Sequence, residues 1–549
     1  MKKLLSILLF LFAISVYTQN NTINSTCTMT TVWDGSMWSN GSPNLTIAAE
    51  INGPYTASSA SSFSTCNLVV NSTLTINNNA YVEVLHDITV DPSGTLLVKS
   101  GGKLIPVSDT STSTGNVIVQ RTTPSLKLYD YTYWSSPVDA VINTALLPTN
   151  WWYYRTFTFE TQNFYDVQTQ LNGVITPGPD GQDDDGDAWL SVVPTDSFVR
   201  GKGYASMVYP DGTFPRTETV SFTGVLGAGV INYPLILSAN TLSNTDDFNL
   251  VGNPYSASIF ADDFINANID NIVGTLNFWS HAGSLSSAYP GLLLLNFSTN
   301  DYAYYNLSGG TNANFGGKTP SGYISSCQGF MLQAKNASNL VFRPGFMAPG
   351  YLNDTPVNFF RPQTNNPTKY WISMRTELGL YSQQLVNYQN TTTLDFEDGW
   401  DFKQPGGRSA LKFYTIENNI KYKIQARGGF NINDVVKVGY SSAIPETYTI
   451  AIDSIQGIDN VYIKDGGVVH NLPYTFTTEE GEFNDRFELV YTNTLGIGTP
   501  IFEETIISIT TYDIYGRKLT NLPKGQLLIQ VIETDKRTYS RKTILNFDI

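Results

Sequence analysis

Histidine and cysteine each occur only three times in 549 residues, as His86, His281 and His470 and as Cys27, Cys66 and Cys327. A zinc site needs three or four imidazole or thiolate ligands held together, and these six lie too scattered to form a recognisable ligand set. Charge is also scarce. Only 14% of the residues are charged, with 47 acidic against 32 basic, for a net charge of −15. A phosphate backbone repels such a chain, which argues against nucleic acid as a partner. Beyond the N-terminal run no stretch is apolar for the roughly 20 residues a bilayer requires, so no transmembrane segment is expected once a leader is removed. The short run from Gly291 to Asn296 suits a buried strand. No Gly-x-Ser-x-Gly elbow accompanies the histidines, so a Ser-His-Asp triad has no visible nucleophile. Residues 309–317, GGTNANFGG, lack the Lys-Ser/Thr ending of a phosphate-binding loop. A glycosidase needs only two carboxylates, and that chemistry stays open.

Aromatic residues, in contrast, make up 13% of the chain, with 32 Tyr and 29 Phe among abundant Asn, Thr and Ser. This mixture favours strands joined by polar turns. The N-terminus reads Lys2, Lys3, an apolar run from Leu4 to Val16, then Tyr17 and Thr18 before Gln19. That is the layout of a secretory signal peptide over residues 1–18; the competing reading, a membrane anchor, meets an apolar run too short to span comfortably. Export permits a disulfide. Cys27 and Cys66 share the N-terminal segment and are the expected pair, while Cys327 sits in an alternating strand-like run and reads as a buried thiol.

The expected fold is all-β and multidomain. In residues 19–117, Leu74 and Ile76, Val82 and Val84, Ile88 and Val90, and Leu96 and Val98 form apolar pairs that recur every six to eight residues, separated by Gly or Asn turns. Such short, regular strands suit a β-solenoid better than a meander of hairpins. Trp33 and Trp38 precede them, either capping the open end of the stack or offering a platform for sugar rings. A polar stretch over 106–116 reads as a linker. Residues 118–355 read as a β-sandwich-like domain carrying an acidic loop and one short helix over ASIFADDFINAN, with a Ser cap and with Phe260, Phe264 and Ile265 on one face. Residues 356–495 alternate again and predict a second β-sandwich-like domain, and residues 500–549 a small terminal β-domain.

The acidic loop is the sharpest local feature. Asp180, Asp183, Asp184, Asp185 and Asp187 are punctuated by Gly181 and Gly186. Hard cations take six to eight oxygens, and Asp180, Asp183, Asp185 and Asp187 form a candidate Ca²⁺ set. The alternative is a solvated acidic loop; no helices flank it, and no Glu stands where an EF-hand would place one. Trp151, Trp152, Tyr153 and Tyr154 admit sugar stacking or ordinary core packing.

The tail carries a family resemblance. The turn Asp513–Ile514–Tyr515–Gly516–Arg517, the turn Leu522–Pro523–Lys524–Gly525 and the basic strand Ser540–Arg541–Lys542 together resemble the C-terminal sorting domain of type IX secretion cargo in Bacteroidetes. The family usually has a Tyr after the Lys-Gly turn, where this chain has Gln526 and Leu527, and it carries more strand sequence ahead of the first turn. Segments such as RTTPSLKLYDYTYWSSPV and FNLVGNPYSASIFADDFI resemble parts of large secreted flavobacterial proteins with the same tail. The resemblance implies the type IX machinery as a partner, a location outside the cell or on its outer surface, and Asp513, Gly516, Arg517, Pro523, Lys524 and Gly525 as sorting residues. It names no reaction. The expected role is therefore non-catalytic, in adhesion or in contact with surface or matrix; the alternative is binding or degradation of polysaccharide, with surface glycans as partner.

Overall fold

A computed structural model describes residues 27–140, 142–146, 156–163, 188–193, 195–208, 212–238, 247–286, 297–347, 367–406, 409–492, 506–513, 515–520, 527–534 and 538–544. The fold is all-β: strands dominate, and the longest helix described is Ala261–Asn268. The chain divides into two compact units, one ending at Asn493 and one running from Thr494 to Ile549.

The first unit opens with a three-walled parallel solenoid. Strands Ile47–Ile51, Leu68–Val70, Ile88–Val90 and Ser113–Thr114 stack in parallel on one wall, Phe63–Thr65, Tyr81–Val84 and Lys103–Pro106 on a second, and Tyr55–Ala57, Thr73–Ile76, Thr95–Val98 and Val117–Thr122 on the third. The six-to-eight-residue period is thus the spacing between walls, and three strands complete a coil. Register aligns Tyr55 with Leu74, Leu74 with Leu96, and Leu96 with Val117. Because strand side chains alternate faces, each short strand sends two of them inward. Leu74, Ile76, Val82, Val84, Ile88, Val90, Leu96 and Val98 are all buried in one core. Fully burying such side chains contributes about 1.5–3 kcal/mol each. At one corner Asn71 Nδ2 donates to Glu50 Oε1 (2.9 Å) and to Asn52 Oδ1 (2.8 Å), tying successive coils together. Cys27 and Cys66 form a disulfide with a Cα–Cα distance of 5.7 Å, fastening the N-terminal segment to the first coils.

Both ends of the solenoid are closed by aromatics. At the start, Trp38 lies 5.4 Å from Trp33, 5.6 Å from Tyr55 and 5.6 Å from Phe63, centroid to centroid, and Trp33, Trp38 and Tyr55 pack against the solenoid core. At the far end, Phe222 meets Trp134 at 5.8 Å and Phe198 at 5.6 Å within the same core. The boundary expected at residue 117 falls inside a sheet. Val117–Thr122 pairs in parallel with Thr95–Val98 on one edge and antiparallel with Thr219–Leu226 on the other. The segment expected as a linker supplies the strand Ser113–Thr114 to a solenoid wall and sends Val107 against the core of the next region. The polar residues there form solenoid corners: Thr112, for example, donates through N and Oγ1 to Asp87 Oδ1.

The middle region holds a four-stranded sheet (Tyr131–Trp134, Tyr204–Met207, Thr156–Phe159, Trp189–Ser191) and a five-stranded sheet (Phe248–Gly252, Gly329–Ala334, Ile272–Trp279, Tyr302–Asn306, Gly309–Thr311). The helix Ala261–Asn268 buries Phe264 and Ile265 as its spacing predicts, but its N-cap is Phe260, with no side-chain capping bond. Ser256, ahead of it, is drawn elsewhere: its Oγ donates to Leu104 O of the solenoid at 2.6 Å.

From Thr368–Arg375 to Gly481–Val490 the chain builds one eleven-stranded sheet. It rolls over so that its ends face each other as a sandwich. Phe476, on the last strand at one end of the order, sits 4.8 Å from Phe487 near the other end. Tyr370, Tyr440, Tyr448 and Phe413 fill the interior. Bonds from Trp371 Nε1 to Gly310 O (2.6 Å) and from Lys369 Nζ to Ser308 O (3.0 Å) join this sheet to the middle region.

The second unit contains three antiparallel strands in sequence order, Ile506–Tyr512, Leu527–Thr534 and Thr538–Ile544.

Candidate functional site: a hydroxyl-rich cleft and a C-terminal turn

A cleft of about 630 Å³ opens in the middle region. Its walls come from the stretch leaving Val117–Thr122, from the strand Tyr131–Trp134, from the end of Ile272–Trp279 and from the loops at 317–321 and 325–329. The first wall is pinned by a reciprocal pair of backbone bonds between Leu126 and Arg216 (2.8 and 3.0 Å). A tight turn then brings Asp130 Oδ2 within 2.7 Å of the Lys127 N–H.

Four groups with basic side chains line the cleft: Arg121, Lys127, Lys318 and His281; Asp130 is the one carboxyl on its described wall. Lys127 and Lys318 are exposed, while Asp130 is buried. The indole N–H of Trp279 donates to His281 Nδ1 at 3.1 Å. An indole nitrogen only donates, so Nδ1 must carry a lone pair and any ring proton resides on Nε2. Burial, reinforced by the Lys127 charge, pushes the His281 pKa down to about 3. Asp130 Oδ1 lies 3.7 Å from that Nδ1, and burial raises the Asp130 pKa against the opposing effects of the Lys127 N–H and ammonium. Behind the wall Asp301, 1% exposed, accepts from the Gly283 N–H. Burial pushes its pKa up to about 6, with the charge on Asp130 adding to the shift. Asp301 is not on the cleft surface. Cys327 also borders the cleft, but it is 1% exposed and part of the solenoid-end core. The arrangement suits holding a ligand.

The second candidate lies in the C-terminal unit and explains its motif physically. Asp513 Oδ1 accepts from the N–H groups of Tyr515 and Arg517 (both 2.9 Å), and Oδ2 accepts from Arg517 Nε at 2.7 Å. The Gly516 N–H donates to Asp513 O at 3.0 Å, and Gly516 takes φ +81°, the left-handed region glycine enters without steric cost. The backbone bond from Arg517, ahead of its side-chain bond, holds the Asp513 pKa below the usual carboxylate value. Asp, Gly and Arg at these spacings therefore close one turn on itself, leaving Tyr515 and the Arg517 guanidinium exposed.

Of the other sequence candidates, Asp180, Asp183, Asp185 and Asp187, the signal segment 1–18, the Trp151–Tyr154 cluster and Pro523, Lys524 and Gly525 lie outside the described residues. His86, His281 and His470 are not brought together, and among the described residues no group of His, Cys, Asp and Glu is arranged to hold a metal. No described helix is long and apolar enough to cross a membrane. The cleft itself has no sequence signature. Its walls combine residues more than 150 positions apart, and Lys127, Asp130, Trp279 and Lys318 match no local motif.

The chain matches the family described as Domain of unknown function (DUF8693) over residues 20–491, and it belongs to that family. No curated protein and no solved structure matches it.

Proposed function

We propose that this protein is type IX secretion cargo that works outside the cell or on its outer surface, through contact with surface or matrix and without catalysis. One observation carries the reading. The family match ends at residue 491, and a separate compact unit begins at Thr494. The module bearing the Asp513–Arg517 turn is thus appended to the family's own fold, as an address is. The closed turn supports the same reading, since it presents Tyr515 and Arg517 from a fixed backbone. So does the Cys27–Cys66 disulfide, which suits an oxidising compartment. A second reading, polysaccharide binding, is favoured by the cleft.

Mass spectrometry of the protein recovered from culture fluid, cell surface and periplasm tests the proposal. The expected product outside the cell lacks Met1 to about Thr18 and the tail beyond about Asn493. Full-length tail confined to the periplasm overturns it.

A further inference from the structure

We infer that the cleft bordered by Lys127, Lys318 and Trp279 is a binding site for an anionic saccharide, one whose rings carry carboxylates. The inference rests on the contact role proposed above and names its ligand.

Charge gives the first argument. The chain as a whole carries −15, yet the described wall of this cleft presents two exposed ammonium groups, Lys127 and Lys318, and one carboxyl, which is buried. A local reversal of sign concentrates an anion against a repelling background, and clefts with low-dielectric walls focus that field. Ammonium groups act as mobile point charges that can follow a ring carboxylate.

The lining chemistry gives the second. Ser125 and Ser321 belong to a set of serine and threonine hydroxyls that make up much of the wall. A hydroxyl both donates and accepts, which matches the alternating needs of sugar hydroxyls. An acidic peptide, with its one-sided demand for donors, makes less use of such a wall. Trp279 stands half-buried at the edge, its ring stacked on Tyr133 and met edge-on by Tyr302 and Phe297, so it forms a rigid wall of the cleft. The volume of about 630 Å³ lies within the range of small-molecule sites and admits a short oligosaccharide.

The mature full-length chain is titrated by calorimetry with an oligogalacturonate, a neutral glucan oligomer of equal length and a poly-glutamate of equal charge. The expected result is binding of the oligogalacturonate at least tenfold tighter than the other two, weakened about tenfold between 50 and 500 mM NaCl. A Lys127→Glu/Lys318→Glu double variant, altering two exposed side chains, is expected to lose at least tenfold in affinity with an unchanged melting temperature. Absence of oligogalacturonate binding, equal binding of the glucan, equal binding of poly-glutamate, or full affinity in the double variant each overturns the inference. All arms use purified protein, so a failure of the export proposal is seen separately, in the fractionation experiment.

Discussion

Lys423 Nζ donates to Asn314 Oδ1 at 2.7 Å, joining the strand Ile420–Arg427 of the large sheet to the loop after Gly309–Thr311. The lysine is 1% exposed, and burial alone lowers its pKa from 10.5 to about 7. An ammonium with one neutral partner is a cost to folding, because its hydration is lost without a compensating carboxylate.

The first prediction concerns that cost. Between pH 7 and 10.5 the unfolded chain binds more protons at this lysine than the folded chain does. Its unfavourable contribution is therefore fully present below pH 7 and is relieved as pH rises toward 10.5. Lys423→Met is expected to stabilise the protein by roughly 1–3 kcal/mol at pH 6.5, with the advantage shrinking by pH 9.5. Urea unfolding of both proteins across this range checks it; a destabilised variant with a pH-independent difference contradicts it.

A second prediction separates the two readings of the N-terminal tryptophans. The rings of Trp33, Trp38, Tyr55 and Phe63 are spent on one another at 4.9–5.6 Å, and the strand Met29–Trp33 lies at the sheet edge they cover. Trp38→Ala is expected to cost about 2–3 kcal/mol, less than a fully buried aromatic, and to promote association through the uncovered edge. Denaturant unfolding and light scattering read both effects. Unchanged stability with lost glycan binding instead identifies a sugar platform.

What the sequence reveals here follows the range of each interaction. The apolar pairs of the solenoid are legible because each side chain's orientation is set within its own strand: Leu74 and Ile76 point inward for the same local reason as Val82 and Val84. The helix is legible from the spacing of Phe264 and Ile265. The boundary at residue 117 is not, because Val117–Thr122 finds its second neighbour about a hundred residues later, in Thr219–Leu226. The 106–116 segment looks like a linker because solenoid corners use the same Ser, Thr and Asp as linkers do. The Asp513–Arg517 turn is legible through its family resemblance, and all of its bonds close within five residues, so the motif is a compact string of neighbours. The cleft is hidden for the opposite reason: Lys127 and Lys318 are brought together only by the completed middle region.

A third prediction concerns the disulfide. Cys27 and Cys66 are separated by 39 positions, and chain-entropy arguments assign a crosslink of that span about 4 kcal/mol, with measured values commonly 2–4. The Cys27→Ser/Cys66→Ser variant is expected to lose roughly 2–4 kcal/mol, and reductant is expected to shift the parent protein toward the variant while leaving the variant unmoved. Thermal unfolding with and without dithiothreitol reads both. Equal melting of parent and variant shows that the crosslink does not constrain the unfolded chain as argued.

The last prediction tests the terminal turn as an address. Gly516 has φ +81° with no atom within 4 Å of the place a Cβ would occupy, so a side chain there meets backbone strain and no clash. Gly516→Val, β-branched at a left-handed position, is expected to open the turn at a cost of about 1–2 kcal/mol. Asp513→Ala removes three of its bonds at once. Because Thr494–Ile549 is a separate compact unit, neither change is expected to move the melting transition of the larger unit. Both are expected to reduce the amount of protein outside the cell several-fold, with precursor accumulating in the periplasm. Arg517→Lys sharpens the test: it keeps the charge but loses the guanidinium that meets Asp513 Oδ2. Export intact in Arg517→Lys but lost in Asp513→Ala assigns the signal to the closed backbone of the turn. Loss in both assigns it to the guanidinium as well, and full export of all three variants removes the turn from the sorting proposal.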